Sequence, residues 1–314
     1  MKTSLMKTSL KQYLTEGQTL PHWPKTKEEL IAAYRKCMVI EETGEVMMPI
    51  YYEKGHQFES YNNVEFNDDL TVSVKGYKSD DSMTIAPWML VNNQLPFPFK
   101  DADLYFLVDS DCKLKSFAGF PRKCKSVDIS FHGMDNSVKN FVGCPEYVEE
   151  SFSIKDSGIE SMDGFPKMGD DCSVFLQTDG LKDFSKIPKQ VKHLTIAESK
   201  YFTHEDFKYL PESADRIAFS SLPNLHSLHN IHKYVKHLKV LGIFNTKIQY
   251  AILGVAMING LETIDPEFFD VNSGDSTWPA DGVEEVVNKY IGTHDIFGFQ
   301  EDLTDLGLTE LAKI

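Results

Sequence analysis

Ser173-Val-Phe-Leu-Gln-Thr178, His193-Leu-Thr-Ile-Ala-Glu198, Arg216-Ile-Ala-Phe-Ser-Ser221 and Val240-Leu-Gly-Ile-Phe-Asn245 are one phrase written four times. Each has apolar residues at its second and fourth positions and closes on a polar one. Followed backwards, the closing position extends to a series: Asp111, Asp135, Asp156, Thr178, Glu198, Ser221 and Asn245, spaced 24, 21, 22, 20, 23 and 24. Four residues before each stands Leu107, Phe131, Phe152, Val174, Leu194, Ile217 or Leu241. Two before, the apolar residue persists in the last five units, whereas the first two carry Asp109 and Gly133. A proline follows ten residues later in the first four units, at Pro121, Pro145, Pro166 and Pro188. A repeat of this length cannot bury its apolar face alone, and stacked neighbours must supply the core. The reading is an α+β chain: a leucine-rich-repeat-like solenoid of about seven short units, with a small α+β N-terminal cap and a helical C-terminal cap.

The return path of each unit repeats as well. Phe117 and Phe120, Phe141 and Cys144, Met162 and Phe165, Phe184 and Ile187 recur as apolar anchors, with Gly119, Gly143 and Gly164 at the turn before the proline. The polar series reads as a structural turn ladder, because a short polar side chain after a strand can accept from the turn's free amides. The positions between core residues on each strand then face outward. From them come the candidate binding residues of a concave strand face: Phe106, Val108, His132, Phe175, His193, Arg216 and Phe244. Aromatic and guanidinium groups are the usual anchors of protein interfaces.

Outside the repeat, Thr26-Lys-Glu-Glu29 is a capping-box pattern that predicts a helix over Lys27–Cys37. Short alternating segments rich in Val, Tyr and Phe between Glu45 and Tyr77 predict strands in hairpins. After Ile248 the repeat is expected to stop. Two helices are predicted at Pro279–Tyr290 and Phe299–Lys313, in a stretch from Asp270 to Ile314 that carries ten acidic residues and two lysines. The chain divides accordingly into residues 1–16, 17–92 (N-terminal cap), 93–249 (solenoid) and 250–314 (C-terminal cap).

The net charge of −15 over 314 residues argues against direct nucleic-acid binding or an anionic membrane surface. No apolar run approaches the ~20 residues of a membrane span. Cys37, Cys112, Cys124, Cys144 and Cys172 are odd in number and lack CxxC spacing, so core thiols are expected and not a disulfide framework. His226, His229 and His232, with His237 nearby, are the one histidine cluster, but no Cys or acidic residue beside them completes a ligand set, and no metal is expected. Phosphate-cradling glycine loops, GxSxG elbows and HExxH are lacking, so neither an enzymatic role nor a cofactor is expected. A carboxylate beside His56 in the N-terminal cap would be the place to look for one. The expected partner is a protein.

Pro24-Lys-Thr-Lys-Glu-Glu-Leu30, Phe66-Asn-Asp-Asp-Leu-Thr-Val-Ser-Val74, the Leu-x-Ser-Phe-x-Gly-Phe-Pro unit at Leu114–Pro121 and Val283-Glu-Glu-Val-Val-Asn-Lys-Tyr290 occur in an order that resembles a family of leucine-rich-repeat-like proteins of T-even-type tailed bacteriophages. The resemblance covers nearly the whole chain and implies the fold but no activity. It departs from the family at the turn, where Asn-Asn-Lys-Leu is mostly replaced by Asp-, Thr- or Glu-based sequences. Separately, Met6-Lys-Thr-Ser-Leu-Lys-Gln-Tyr-Leu-Thr-Glu16, preceded by a duplicated MKTSL, is similar to the capsid-targeting peptides of internal head proteins in those phages. That similarity implies cleavage between Glu16 and Gly17, and a location in the virion head interior followed by the host cytoplasm; without packaging the location is the host cytoplasm only.

Overall fold

The computed structural model describes residues 23–37, 50–51, 64–75, 82–129, 133–155, 158–265 and 281–313. The chain divides into two compact units, Met1–Ile159 with Asp163–Lys167, and Glu160–Met162 with Met168–Ile314. Each is a run of parallel-β solenoid, mostly strand with few helices.

The first unit opens with helix α1 (Lys27–Lys36), whose N-terminus is capped as the sequence predicts. Thr26 Oγ1 accepts from the Glu29 amide at 3.2 Å, and the Glu29 carboxylate reaches back to the Lys25 amide at 2.7 Å. Strand β1 (Ile50–Tyr51) runs antiparallel to β4 (Ser82–Ile85), and β2 (Val64–Phe66) forms a hairpin with β3 (Val72–Lys75). Both β3 and β4 lie parallel to β5 (Phe99–Val108), which starts a parallel stack with β6 (Lys123–Ile129) and β7 (Tyr147–Lys155). Phe106, Val127 and Phe152 share one inward rung, and Val108, Ile129 and Ile154 the next.

An aromatic chain fills this core. Tyr34 meets Phe66 edge-on at 5.3 Å, Phe99 meets Phe106 at 5.4 Å, and Phe106 meets Phe120 at 5.0 Å. Phe117 stacks on Phe141 at 5.9 Å, which meets Phe152 edge-on at 5.7 Å. Each such pair contributes on the order of 0.5–1.5 kcal/mol beyond its area burial.

The two-residue strand β8 (Lys167–Met168) straddles the division in sequence. The second unit stacks β9 (Ser173–Gln177), β10 (His193–Ala197), β11 (Ser213–Ser220), β12 (His237–Phe244) and β13 (Thr263–Asp265), all parallel. Val174, Leu194, Ile217, Leu241 and Ile264 lie in one line across the five strands. Leu176, Ile196, Phe219 and Ile243 form the line beside it. The rungs expected from the spacing are therefore adjacent in space. The repeat does not stop at Ile248, however: β13 adds one more rung, 23 residues beyond Leu241. Only its single core residue, Ile264, marks it in the sequence.

The return paths are 3-10 turns at His204–Tyr209 and Leu253–Met257 and the one-turn helix α2 (Ile231–Tyr234). Near the C-terminus, α3 (Val283–Tyr290) packs on α4 (Ile296–Asp305) through stacked Tyr290 and Phe299. The second helix starts three residues before the expected Phe299, because Asp295 caps it through the Gly298 amide at 2.9 Å. It ends at Asp305 because Gly307, at φ +76°, turns the chain out of the helical region.

Candidate functional site

Alternation along the strands of the second unit decides which side chains face away from the core. Ser173, His193, Arg216, Val240 and Thr263 form one outward row, in register across all five strands. Phe175, Thr195, Ala218, Gly242 and Asp265 form the next. His193 and Ser173 are joined through Nδ1 and Oγ at 3.1 Å. Burial, reinforced by Lys192, holds the His193 pKa below the usual imidazole value.

Arg216 stands at the centre of this face. Its Nη2 lies 3.4 Å from Asp265 Oδ2, and its guanidinium sits 5.6 Å from the centre of the Phe244 ring. Both partners of the ion pair are partly buried, with side chains 22% and 29% exposed, so solvent screens the pair in part. Asp265 was not among the expected site residues, since it follows the point where the repeat was expected to end. Along the rim where the strands begin, Lys239 pairs with Asp215 at 2.7 Å, one coil away.

Phe244 faces outward by register but is only 4% exposed, so it does not present itself to a partner. Its ring lies over Gly242, where a Cβ would stand 2.7 Å from Phe244 Cε2 and 3.0 Å from Ala218 Cβ. The aromatic ring thus fills the hollow left by the two smallest residues of the row.

Phe106 and Val108 require a correction. Both were expected on the outer face, yet both point into the core and are 0% and 1% exposed. The turn after β5 is one residue longer than counting back from Asp111 allows, and strand parity then exchanges inside for outside. Tyr105 and Leu107 hold the outward positions instead, beside Ser126 and Asp128 on β6 and Ser151 and Ser153 on β7. His132 and Phe131 lie outside the described residues, as do Asp156, His56, Glu16 and Gly17.

The turn ladder has mixed chemistry. Asp135 accepts from the Ser137 amide at 2.8 Å, and its pKa is lowered first by the Ser137 hydroxyl and then by that amide. In the first coil the acceptor is Asp109, which takes the Asp111 amide at 2.9 Å. Farther on, the ladder works through the backbone: the amides of Thr178, Glu198 and Ser221 donate to Ala197, Ser220 and Phe244 carbonyls of the next strand. Glu198, Ser221 and Asn245 adopt positive φ, and Asn245 Nδ2 donates to Ser221 Oγ at 3.1 Å.

A second recurring polar position escaped the sequence reading. Ser116, Asn140 and Asp183 each accept from the amide two residues on, at 3.3, 3.1 and 2.9 Å. All three stand five residues before the turn proline, and that constant offset was visible in the sequence.

The four clustered histidines do not converge. His226 Nδ1 is 3.3 Å from the Lys247 carbonyl, His229 meets His204 at a ring separation of 6.0 Å, and His237 opens β12. His232 packs its Nδ1 toward Gly254, where that nitrogen is buried without a partner. Among the described residues, no group of three or more His, Cys, Asp or Glu side chains is placed to hold a metal. Burial pushes the Cys37 and Cys112 thiols up to about 11 and about 12, which makes them poor nucleophiles at neutral pH.

The fold and face define a parallel-β solenoid with a mixed aromatic and polar strand surface. No protein family, curated protein or solved structure matches this chain.

Proposed function

We infer that this chain is a non-enzymatic, protein-binding solenoid of a tailed bacteriophage. In this reading its coils are leucine-rich-repeat-like, and α3 and α4 close the C-terminal end. The observation that carries it is the register of the second unit. Five parallel strands align Ser173, His193 and Arg216 in one outward row, with Phe175 and Thr195 in the next. Such a surface combines an aromatic group, an imidazole and a guanidinium on a stiff scaffold, so little side-chain or backbone order must be supplied on binding.

The partner is a host protein with a defence or regulatory role, and the mechanism is steric occupation of its working surface. The N-terminal resemblance supports a route: packaging in the head, removal of residues 1–16, and delivery with the genome. A second reading, favoured by the same segment, is an internal head component whose partner is another phage protein.

Phe175→Ala combined with Arg216→Ala tests the face. A partner captured from host or virion lysate by the parent chain should be lost by the double variant while its circular dichroism and unfolding midpoint stay near those of the parent. Undiminished capture removes this face from the account.

A further inference from the structure

Asp128 occupies the middle of the first unit's parallel stack, on β6, flanked by Leu107 on β5 and Ser153 on β7. Aspartate is a poor strand former, and a central strand is the least forgiving place for it. Its Oδ1 is buried and has no hydrogen-bond partner. A carboxylate has about four acceptor sites, and leaving one buried and unmet is costly enough that native chains rarely keep it without a use.

Several outer-face donors of this stack serve other acceptors. Ser151 donates its hydroxyl to Ser126 at 3.0 Å, Tyr105 donates to Glu150, and the Lys123 ammonium lies 3.5 Å from Glu149. Lys125, the nearest lysine in sequence, has its ammonium 3.7 Å from Asp103. The local arrangement is a half-buried carboxylate with an apolar wall at Leu107 and a hydroxyl at Ser153.

Those groups match one kind of side chain. A guanidinium supplies paired donors to a carboxylate, and its aliphatic stem lies comfortably along leucine. The chain's net charge of −15 adds a long-range attraction for a basic partner.

We propose that Asp128 is the receptor for a basic side chain, arginine foremost, of a protein partner lying across the outer strand face of the first unit. This rests on the reading of the outer face as protein-binding, and it adds the charge and the anchor residue of what is bound. The anchor is desolvated on docking, which is where a charged pair gains most in specificity.

The test is a transverse-relaxation-optimised NMR titration of the full chain with N-acetyl-argininamide, run against the citrulline analogue of equal shape and no charge. The expected result is saturable shifts of the Leu107, Asp128 and Ser153 amides with the arginine probe and at least a tenfold weaker response to citrulline. Asp128→Asn should abolish the arginine response while its unfolding temperature stays equal to or above that of the parent, because an unmet charge has been removed. Asp128→Ser, with fewer atoms, is the second variant and should behave alike. An equal response to citrulline, an unchanged titration in both variants, or no shift at these amides overturns the proposal. So does a fall of several degrees in both variants, which would make the carboxylate a structural group. The experiment involves neither Phe175 nor Arg216, so its failure is separable from failure of the second unit's face.

Discussion

Phe244 lies over Gly242, close enough that a methyl group on the glycine would meet ring atoms Cε2 and Cζ at 2.7 and 2.8 Å. The ring also sits beneath the Arg216 guanidinium, so the glycine indirectly sets the height of the central cation on this face. Gly242→Val should displace the ring and cost about 1–3 kcal/mol, the usual range for overpacking. Urea unfolding measures the loss, and a structure or NOE pattern with Phe244 unmoved would contradict the explanation.

Leu194 and Ile217 are both fully buried and directly paired in adjacent strands. Leu194→Ala and Ile217→Ala should each destabilise the chain by about 2–5 kcal/mol. Because the two cavities share a wall, the double variant should depart from additivity by about 0.5 kcal/mol or more. Strict additivity would mean that the two side chains do not share one core.

Gly164 stands at φ +78°, and a Cβ there would lie 2.6 Å from the Phe141 carbonyl oxygen. Both the left-handed backbone and the clash with main chain oppose any side chain. Gly164→Ala should therefore cost more than the roughly 1–2 kcal/mol of left-handed strain alone. Gly307→Ala, with the same sign of φ and nothing within 4 Å, supplies the comparison: only the strain should be felt there. Equal losses at the two sites would remove the carbonyl contact from the explanation.

His193 and His232 both have pKa values held below the ordinary imidazole value of 6.5 by burial, aided at His232 by Lys233, Lys236 and His229. Folding thus favours the neutral rings, whereas the unfolded chain takes up protons near pH 6.5. Their contribution is complete above pH 6.5 and is lost as the pH falls from there toward the folded-state values. Unfolding midpoints between pH 7.5 and 5 should decline in the parent and flatten in a His193→Gln, His232→Gln variant. An equally steep decline in that variant would assign the effect to other groups.

The proposed packaging through the N-terminal segment requires a processed chain. Mass spectrometry of purified particles should find the protein beginning at Gly17, and deletion of residues 1–16 should remove it from particles. Particle-borne protein that still begins at Met1 or Met6 would exclude the cleavage.

Leu194, Ile217 and Leu241 were legible as neighbours because a stacked coil must return a core residue at each period. Thr26 and Glu29 announced α1 because capping is local chemistry. Phe106 and Val108 were misplaced because facing depends on parity, and one additional residue in the turn before Asp111 reverses it. Asp265 was missed because a three-residue strand with a single core residue carries almost no periodic signal.

The linear order of residues dictates that this protein is built of stacked coils, since the apolar period of 20–24 residues admits no core other than one shared between turns. It also determined the local chemistry of caps and turns, which acts over a few residues. Which side chains are left on the surface is settled by the folded arrangement of the strands. That choice depends on strand parity, on same-strand contacts such as Phe244 over Gly242, and on contacts between strands such as Arg216 beside Asp265 and Asp128 between Leu107 and Ser153. Asp128 meets Leu107 and Ser153 through pairing of strands about two dozen positions apart, and Arg216 meets Asp265 two strands and 49 positions on, contacts that the sequence beside either partner does not encode.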